Sequence, residues 1–187
     1  MSMEQTLRQQ LVEYGKKLVS AGLVQGTWGN ISVRLDEKYM LATPSGLDYD
    51  RLTPEDMVKV EIETLKYEGT LKPTSEKGLH AAIYKKRADV GAVIHTHAKY
   101  SCVFAAAGKD MPVLAENREL LGEFVRLAAY ALPGTKSLMK NTAEAVGDNA
   151  GAIMSNHGMV AVGADLEDAF NKCAKIEENG RVYLMNR

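Results

Sequence analysis

The chain reads as a single α/β domain, and three observations lead there. Residues 90–94 form a continuous apolar run rich in β-branched side chains, the pattern of a strand buried on both faces. Val58-Lys59-Val60-Glu61-Ile62 alternates strictly, as a half-buried strand does. Leu7, Leu11, Tyr14, Leu18 and Ala21 recur at three- and four-residue spacing, the stripe of an amphipathic helix. With 187 residues the chain can bury a sizeable core. No linker, repeat or low-complexity tract divides it, so one domain is expected over 1–187.

In chain order, the first helix covers 6–21 and ends near Gly22. In GTWGNISVR, Gly26 and Gly29 precede a short strand over 31–34. Turn geometry alone accounts for such glycines, although successive backbone N–H groups in a turn of this kind can also form an anion-binding nest. A second strand over 39–42 runs into a turn at Pro44 and Gly46, and Thr53-Pro54-Glu55 is a helix start with proline at its first position. The alternating strand 58–62 follows, with another expected over 67–71 around Gly69.

A second helix opens in KPTSEKGLHAAIYKKR, capped by Thr74 or Ser75. That places Glu76 in the first turn, where the helix dipole favours a carboxylate. His80 lies one turn on, beside Leu79, Ala82 and Ile83, and is expected to be packed or to support a ligand from behind. Beyond the run at 90–94, residues 101–107 form a helix closed by Gly108, and 110–116 are extended. Residues 120–131 have helical spacing, ended by Pro133-Gly134, and 141–149 form a helix capped by Asn141 or Thr142. Apolar stretches at 152–154 and 159–162 flank Asn156-His157-Gly158, and a last helix starts near Asp165 and runs to Arg187.

The apolar run ends in His95-Thr96-His97. Strand side chains alternate faces at about 3.3 Å per residue, so the two histidines point the same way with Cα atoms roughly 6.6 Å apart. Both rings can close on one metal ion with Zn–N bonds of about 2.0–2.1 Å. A histidine ending a strand is ordinarily a satisfied core residue, and two ligands do not complete a site that needs three or four. The chain has four histidines, and His157 is a third at the end of an apolar stretch, with Glu76 as a carboxylate upstream. His95, His97, His157 and Glu76 suit Zn(II) first, with Mn(II), Fe(II), Co(II) or Ni(II) as alternatives. Such a site fits Lewis-acid polarisation of a carbonyl beside a carboxylate base.

Composition excludes other classes. Net charge is −1 with acids and bases interspersed, so no footprint for nucleic acid or anionic membrane exists. No apolar run approaches the length of a bilayer span, and the amphipathic, acid-bearing N-terminus is not a signal peptide. Cys102 and Cys173 fit reduced residues of a cytoplasmic protein better than a disulfide framework.

GTWGNISVR, TPSG, PTSE, AVIHTHAKYS and NHGMVAVG, in this order and at these intervals, resemble the class II aldolase/adducin family, most closely its L-fuculose-1-phosphate aldolases and related sugar-phosphate aldolases. The resemblance spans nearly the whole chain. It implies a three-layer α/β/α fold around a mostly antiparallel sheet and a homotetramer with active sites at subunit interfaces. It implies metal ligation by His95, His97 and His157, with Glu76 as fourth ligand and as acid/base once substrate displaces it. It assigns the substrate phosphate to Gly29, Asn30, Ser45, Gly46, Thr74 and Ser75, all donors suited to a dianion. The implied reaction is retro-aldol cleavage of a ketose 1-phosphate to dihydroxyacetone phosphate and an aldehyde, through a metal-stabilised enediolate.

Two departures qualify it. Where the fuculose-type enzymes carry a proton-donating tyrosine, MPVLAEN places Glu116, and Arg187 falls short of the tail that supplies another. Epimerases of the family typically have aspartate at the Glu76 position. Methylthioribulose-1-phosphate dehydratases use a glutamate near Glu116, which keeps dehydration open, alongside decarboxylation of a phosphorylated sugar acid. The non-enzymatic adducin head shares the fold but lacks the metal-ligand set present here.

Overall fold

The computed structural model describes residues 2–186. Its centre is an eight-stranded sheet in the order β3-β2-β1-β4-β8-β7-β6-β5. The strands are β1 (Asn30–Arg34), β2 (Tyr39–Ala42), β3 (Val58–Glu61), β4 (Ala92–Thr96), β5 (Met111–Pro112), β6 (Phe124–Ala128), β7 (Gly151–Met154) and β8 (Gly158–Gly163). Only β6 and β7 pair in parallel; every other neighbouring pair is antiparallel.

Helices cover both faces. On one lie α1 (Met3–Ser20), α3 (Lys99–Ala107) and α6 (Leu166–Met185), with the short α4 (Arg118–Leu121) beside α6. On the other lie α2 (Lys77–Lys86) and α5 (Lys136–Val146), packed on each other. The strands between them sort their side chains by parity. Ala92 and Ile94 of β4 join the core under α1 and α6, while Val93 faces α2 and α5. The fold is therefore a three-layer α/β/α sandwich, and β4 is buried along its whole length.

Several elements differ from expectation. Residues 120–131 are not a helix: α4 stops at Leu121, Gly122 takes φ 80°, and 124–128 pair with β7 and β5. Pairing with a sheet edge outweighs a helical apolar spacing that this segment shares with no helix face. Residues 67–71 are not a strand either, since Tyr67 makes one isolated bridge to Val60. The helix expected over 141–149 begins earlier, at Lys136, because the Thr135 hydroxyl caps it by accepting from the N–H of Leu138. Thr53-Pro54-Glu55 opens a 3₁₀ turn (Pro54–Asp56) with a reciprocal cap between Thr53 and Asp56, not a longer helix. α2 starts at Lys77, with Glu76 itself at the cap position. The expected end of the last helix at Arg187 lies outside the described residues. Among the described residues, no helix is long and apolar enough to cross a membrane.

Candidate metal centre

Strand pairing assembles the site from distant parts of the chain. β1 lies beside β4 with Asn30 opposite His95, and β8 lies on the other side with Thr96 opposite Met159. His157 sits in the tight β7–β8 turn, where Asn156 takes φ 54° and the N–H of His157 donates to Met154 O at 3.0 Å. Gly158 has to be glycine: a Cβ there would meet the Thr96 carbonyl and the rings of His97 and His95. Gly29, at φ 98°, similarly lets its backbone pass His95 O, which a Cβ would approach to 2.7 Å.

The three rings stand edge to face around one point. Centroids of His95, His97 and His157 are 4.8, 4.9 and 5.0 Å apart, with interplanar angles of 71–85°. One nitrogen from each can be chosen so that all lie within 4.8 Å of one another. His95 is fully buried, and its Nδ1 lies 2.8 Å from the Met159 carbonyl. A carbonyl only accepts, so this nitrogen carries the proton and Nε2 presents its lone pair to the site. That Nε2 is 2.9 Å from His97 Nε2 and 3.1 Å from Glu76 Oε2. Burial pushes His95 down to about 4 and also lowers His97. Rings that converge on one point, with His95 and His97 held toward the neutral form, are what a divalent metal requires.

Glu76 completes the group. Its Oε1 is 3.4 Å from His157 Nε2 and is buried with no hydrogen-bond partner, whereas Oε2 accepts from Asn30 Nδ2 at 2.9 Å. Burial works to raise this carboxyl, but the imidazoles of His95, His157 and His80 and the Asn30 amide outweigh it and hold it below its ordinary value. An orphaned carboxylate oxygen beside three imidazoles fits a cation: His95, His97 and His157 with Glu76 would hold a divalent ion.

A cavity of about 350 Å³ opens from this cluster. Glu76, His97 and His157 line it, together with all six expected phosphate-site residues: Gly29, Asn30, Ser45, Gly46, Thr74 and Ser75. Asn30 differs from the rest, because its side chain is committed to Glu76 and His80. Thr27, Trp28, Pro44, Pro133 and Gly134 complete the wall. In sequence Thr27 and Trp28 stand within the GTWGN motif with no site role of their own, Pro44 reads as a turn residue and Pro133-Gly134 as a helix breaker, and nothing local shows that this break shares a cavity with the GTWGN turn. Glu116 is not brought to the cluster within one chain. It is exposed on the 3₁₀ turn Ala115–Asn117 and does not line the cavity.

Comparisons with known proteins agree with this architecture. The family described as Class II Aldolase and Adducin N-terminal domain matches residues 9–184. A 5-deoxy-D-ribulose 1-phosphate aldolase from Bacillus thuringiensis serovar kurstaki is 36% identical over 181 residues, covering 96% of this chain and 85% of that protein. A 5-methylthioribulose-1-phosphate/5-deoxyribulose-1-phosphate aldolase from Rhodospirillum rubrum is 36% identical over 178 residues, covering 95% and 80%. Among solved structures, an L-fuculose 1-phosphate aldolase superposes with a TM-score of 0.92 at 34% identity, over 100% of this chain and 87% of its own.

Proposed function

Because the chain belongs to the class II aldolase and adducin family, we propose that it cleaves a ketose 1-phosphate to dihydroxyacetone phosphate and a short aldehyde. Metal-dependent processing of a sugar phosphate is the common ground of the fold, the relatives and the histidine cluster. The observation that carries the finer reading is the Glu76 carboxylate, buried among the imidazoles at the floor of the donor-lined cavity. The names of the relatives suggest a deoxy or methylthio pentulose 1-phosphate or L-fuculose 1-phosphate as substrate.

His95, His97 and His157 would hold a divalent ion, which would supply Lewis-acid polarisation of the ketose oxygens. The remaining work falls to the chain. Retro-aldol cleavage takes the proton from the C4 hydroxyl, breaks the C3–C4 bond to release the aldehyde, and returns a proton to C3 of dihydroxyacetone phosphate. Glu76, with one oxygen free of hydrogen bonds, is the base placed to move that proton. The N–H groups of Ser45 and Thr74 are taken by Lys72 O and Thr43 O, so the phosphate falls to the hydroxyls of Ser45, Thr74 and Ser75 and to the Gly29 and Gly46 turns. Among the described residues of one chain, no lysine or arginine lines this cavity. A homotetramer belongs to the same proposal; the exposed apolar side chains of Trp28, Tyr130 and Leu132, flanking the cavity wall in sequence or in space, are surfaces a second subunit would cover.

The test is metal analysis of the purified protein coupled to dihydroxyacetone phosphate release from L-fuculose 1-phosphate, 5-deoxy-D-ribulose 1-phosphate and 5-methylthio-D-ribulose 1-phosphate, with and without chelator. Chelator-sensitive release is the expected result and ranks the substrates. Stoichiometric metal with no release from any of them would overturn the aldolase assignment in favour of dehydratase or decarboxylase chemistry.

A further inference from the structure

Behind Glu76 a chain of buried polar side chains runs under α2, with no opening to the cavity beyond Asn30. Asn30 Oδ1 is 2.6 Å from His80 Nε2, His80 Nδ1 is 2.6 Å from Ser32 Oγ, and Ser32 Oγ is 2.8 Å from the Tyr84 hydroxyl. His80 and Ser32 are fully buried, and Tyr84 is nearly so. A fully apolar filling would satisfy the packing, and neighbouring Val93, Val60 and Ile83 show that this core accepts it. A fully connected polar chain in its place calls for a reason.

The donors settle into one direction. Glu76 is a carboxylate and only accepts, so Asn30 must turn its Nδ2 toward Oε2 and leave Oδ1 facing His80. Oδ1 then needs a donor, which sets His80 as the Nε2–H tautomer. Its Nδ1 accepts from the Ser32 hydroxyl, and Ser32 accepts from Tyr84. Every proton in the chain points at Glu76. Were His80 to carry its proton on Nδ1, Asn30 would flip and press its carbonyl oxygen against the carboxylate. Burial pushes His80 down to about 3, so the ring stays neutral and the direction is kept across the working pH range.

We propose that His80 is the positioning residue of this site: with Ser32 and Tyr84 behind it, it locks the Asn30 amide so that Glu76 Oε2 is tied and Oε1 alone is left to exchange protons. The inference deepens the aldolase reading, since Glu76 takes its role from there. It also makes a prediction about metal binding that does not depend on turnover, because a carboxylate turned by a flipped Asn30 would no longer face His95 and His157 as it does now.

The experiment compares His80→Phe, His80→Gln and Ser32→Ala with the parent chain, measuring Zn(II) affinity by competition with a chromophoric chelator, thermal midpoint, and kcat and KM for dihydroxyacetone phosphate release. Glutamine places a donor amide where Nε2 lies; phenylalanine keeps the ring and offers none. His80→Phe should lose about 10–100-fold in Zn(II) affinity and in kcat with KM little changed, the size expected when the partner behind a ligand is removed. His80→Gln should recover most of that loss, and Ser32→Ala, which frees the tautomer, should fall between. Wild-type affinity and kcat in folded His80→Phe would overturn the proposal, as would equal losses in the glutamine and phenylalanine variants or losses that merely follow the thermal midpoints. If His80→Phe does not fold, an unimpaired Ser32→Ala overturns it. Should the parent chain release no dihydroxyacetone phosphate at all, the aldolase reading fails by itself, and the Zn(II) affinities still decide this one.

Discussion

The two faces of the sheet bury different chemistry. Under α1, α3 and α6 the contacts are mainly aliphatic and aromatic, with Leu11, Leu18, Ile94, Ile153 and Ile176 all essentially inaccessible, and the buried Ser101 and Asn179 with the half-buried Glu177 tie helices and loops together. Under α2 the same strands end in Asn30, Ser32 and His95, which meet Glu76 and His80. β4 takes part in both: Ile94 packs toward α6, and one residue later His95 turns toward Glu76. One face is thus a scaffold held mainly by apolar burial, and the other adds to its own apolar core a set of buried polar groups that orient the Glu76 carboxylate. The difference teaches where function and stability separate. Substitutions of the apolar residues on either face should change the fraction folded; those of the polar group under α2 should change chemistry with the fold kept.

The largest expected effect is on the polar face. Glu76→Gln keeps the shape and the Asn30 contact but removes the proposed base, so kcat should fall by about 10²–10⁴-fold, the range for a positioned acid or base. The fold, followed by circular dichroism, and much of the metal content should persist. An active Glu76→Gln enzyme would show that the base is another group.

The apolar face should answer in the opposite way. Leu11 is fully buried on α1, against the sheet, and Leu11→Ala should cost about 2–5 kcal/mol of unfolding free energy through lost burial and the cavity left behind. Turnover per folded molecule should not change. A fall in kcat at full folding, seen by pairing urea denaturation with active-site titration, would break the division between the faces.

Acid should separate the faces as well. Burial pushes His80 and His95 down to about 3 and about 4, whereas an unfolded histidine titrates near 6.5. Below about pH 6.5 the unfolded chain therefore binds more protons than the folded one, and stability of the metal-free protein falls as pH drops through that window toward 4. Each histidine contributes a slope of at most about 1.4 kcal/mol per pH unit. Glu76, held low by its imidazole neighbours against the effect of burial, adds a loss only as pH falls through its depressed folded value. Urea denaturation at several pH values should show the slope, and His80→Gln should reduce it by about one histidine's share. An unchanged slope in that variant would mean that His80 is not held neutral by the fold.

How much of this was legible in the sequence follows the same division. Local pattern was enough for β3, whose alternation is its half-burial, and for α1, whose stripe is the buried Leu11, Tyr14 and Leu18. His95 and His97 were visible as a same-face pair because strand parity is a local rule. β6 was not, since Leu120, Leu121, Phe124, Val125 and Ala128 fit helical spacing and only the partner strands decide otherwise; Gly122, at positive φ, was the available signal. The chain from Tyr84 to Glu76 was also out of reach. It joins positions 32, 84, 80, 30 and 76 across strand pairing that no local period encodes, and His80 by itself reads as a packed residue. The walls contributed by Pro133 and Gly134 were hidden for the same reason.

Glu116 offers the smallest expected effect and the sharpest check on the comparison. Its turn hangs from the apolar side of the molecule: Asn179 of α6 accepts from Leu114 N–H at 2.9 Å and from Asn117 Nδ2 at 3.2 Å, and donates to Pro112 O at 3.0 Å. The Glu116 side chain is exposed there and is not among the residues that line the cavity. Glu116→Gln should accordingly shift unfolding free energy by no more than about 0.5 kcal/mol, as exposed substitutions usually do, and leave Zn(II) affinity unchanged. Weakened metal binding would show that the scaffold face reaches the histidine cluster after all. Turnover discriminates further: a loss of kcat with stability and metal affinity intact would mean that this carboxylate acts in the cavity of a neighbouring subunit, since within one chain it is not among the residues that line the cavity, and it would make the assembly itself part of the active site.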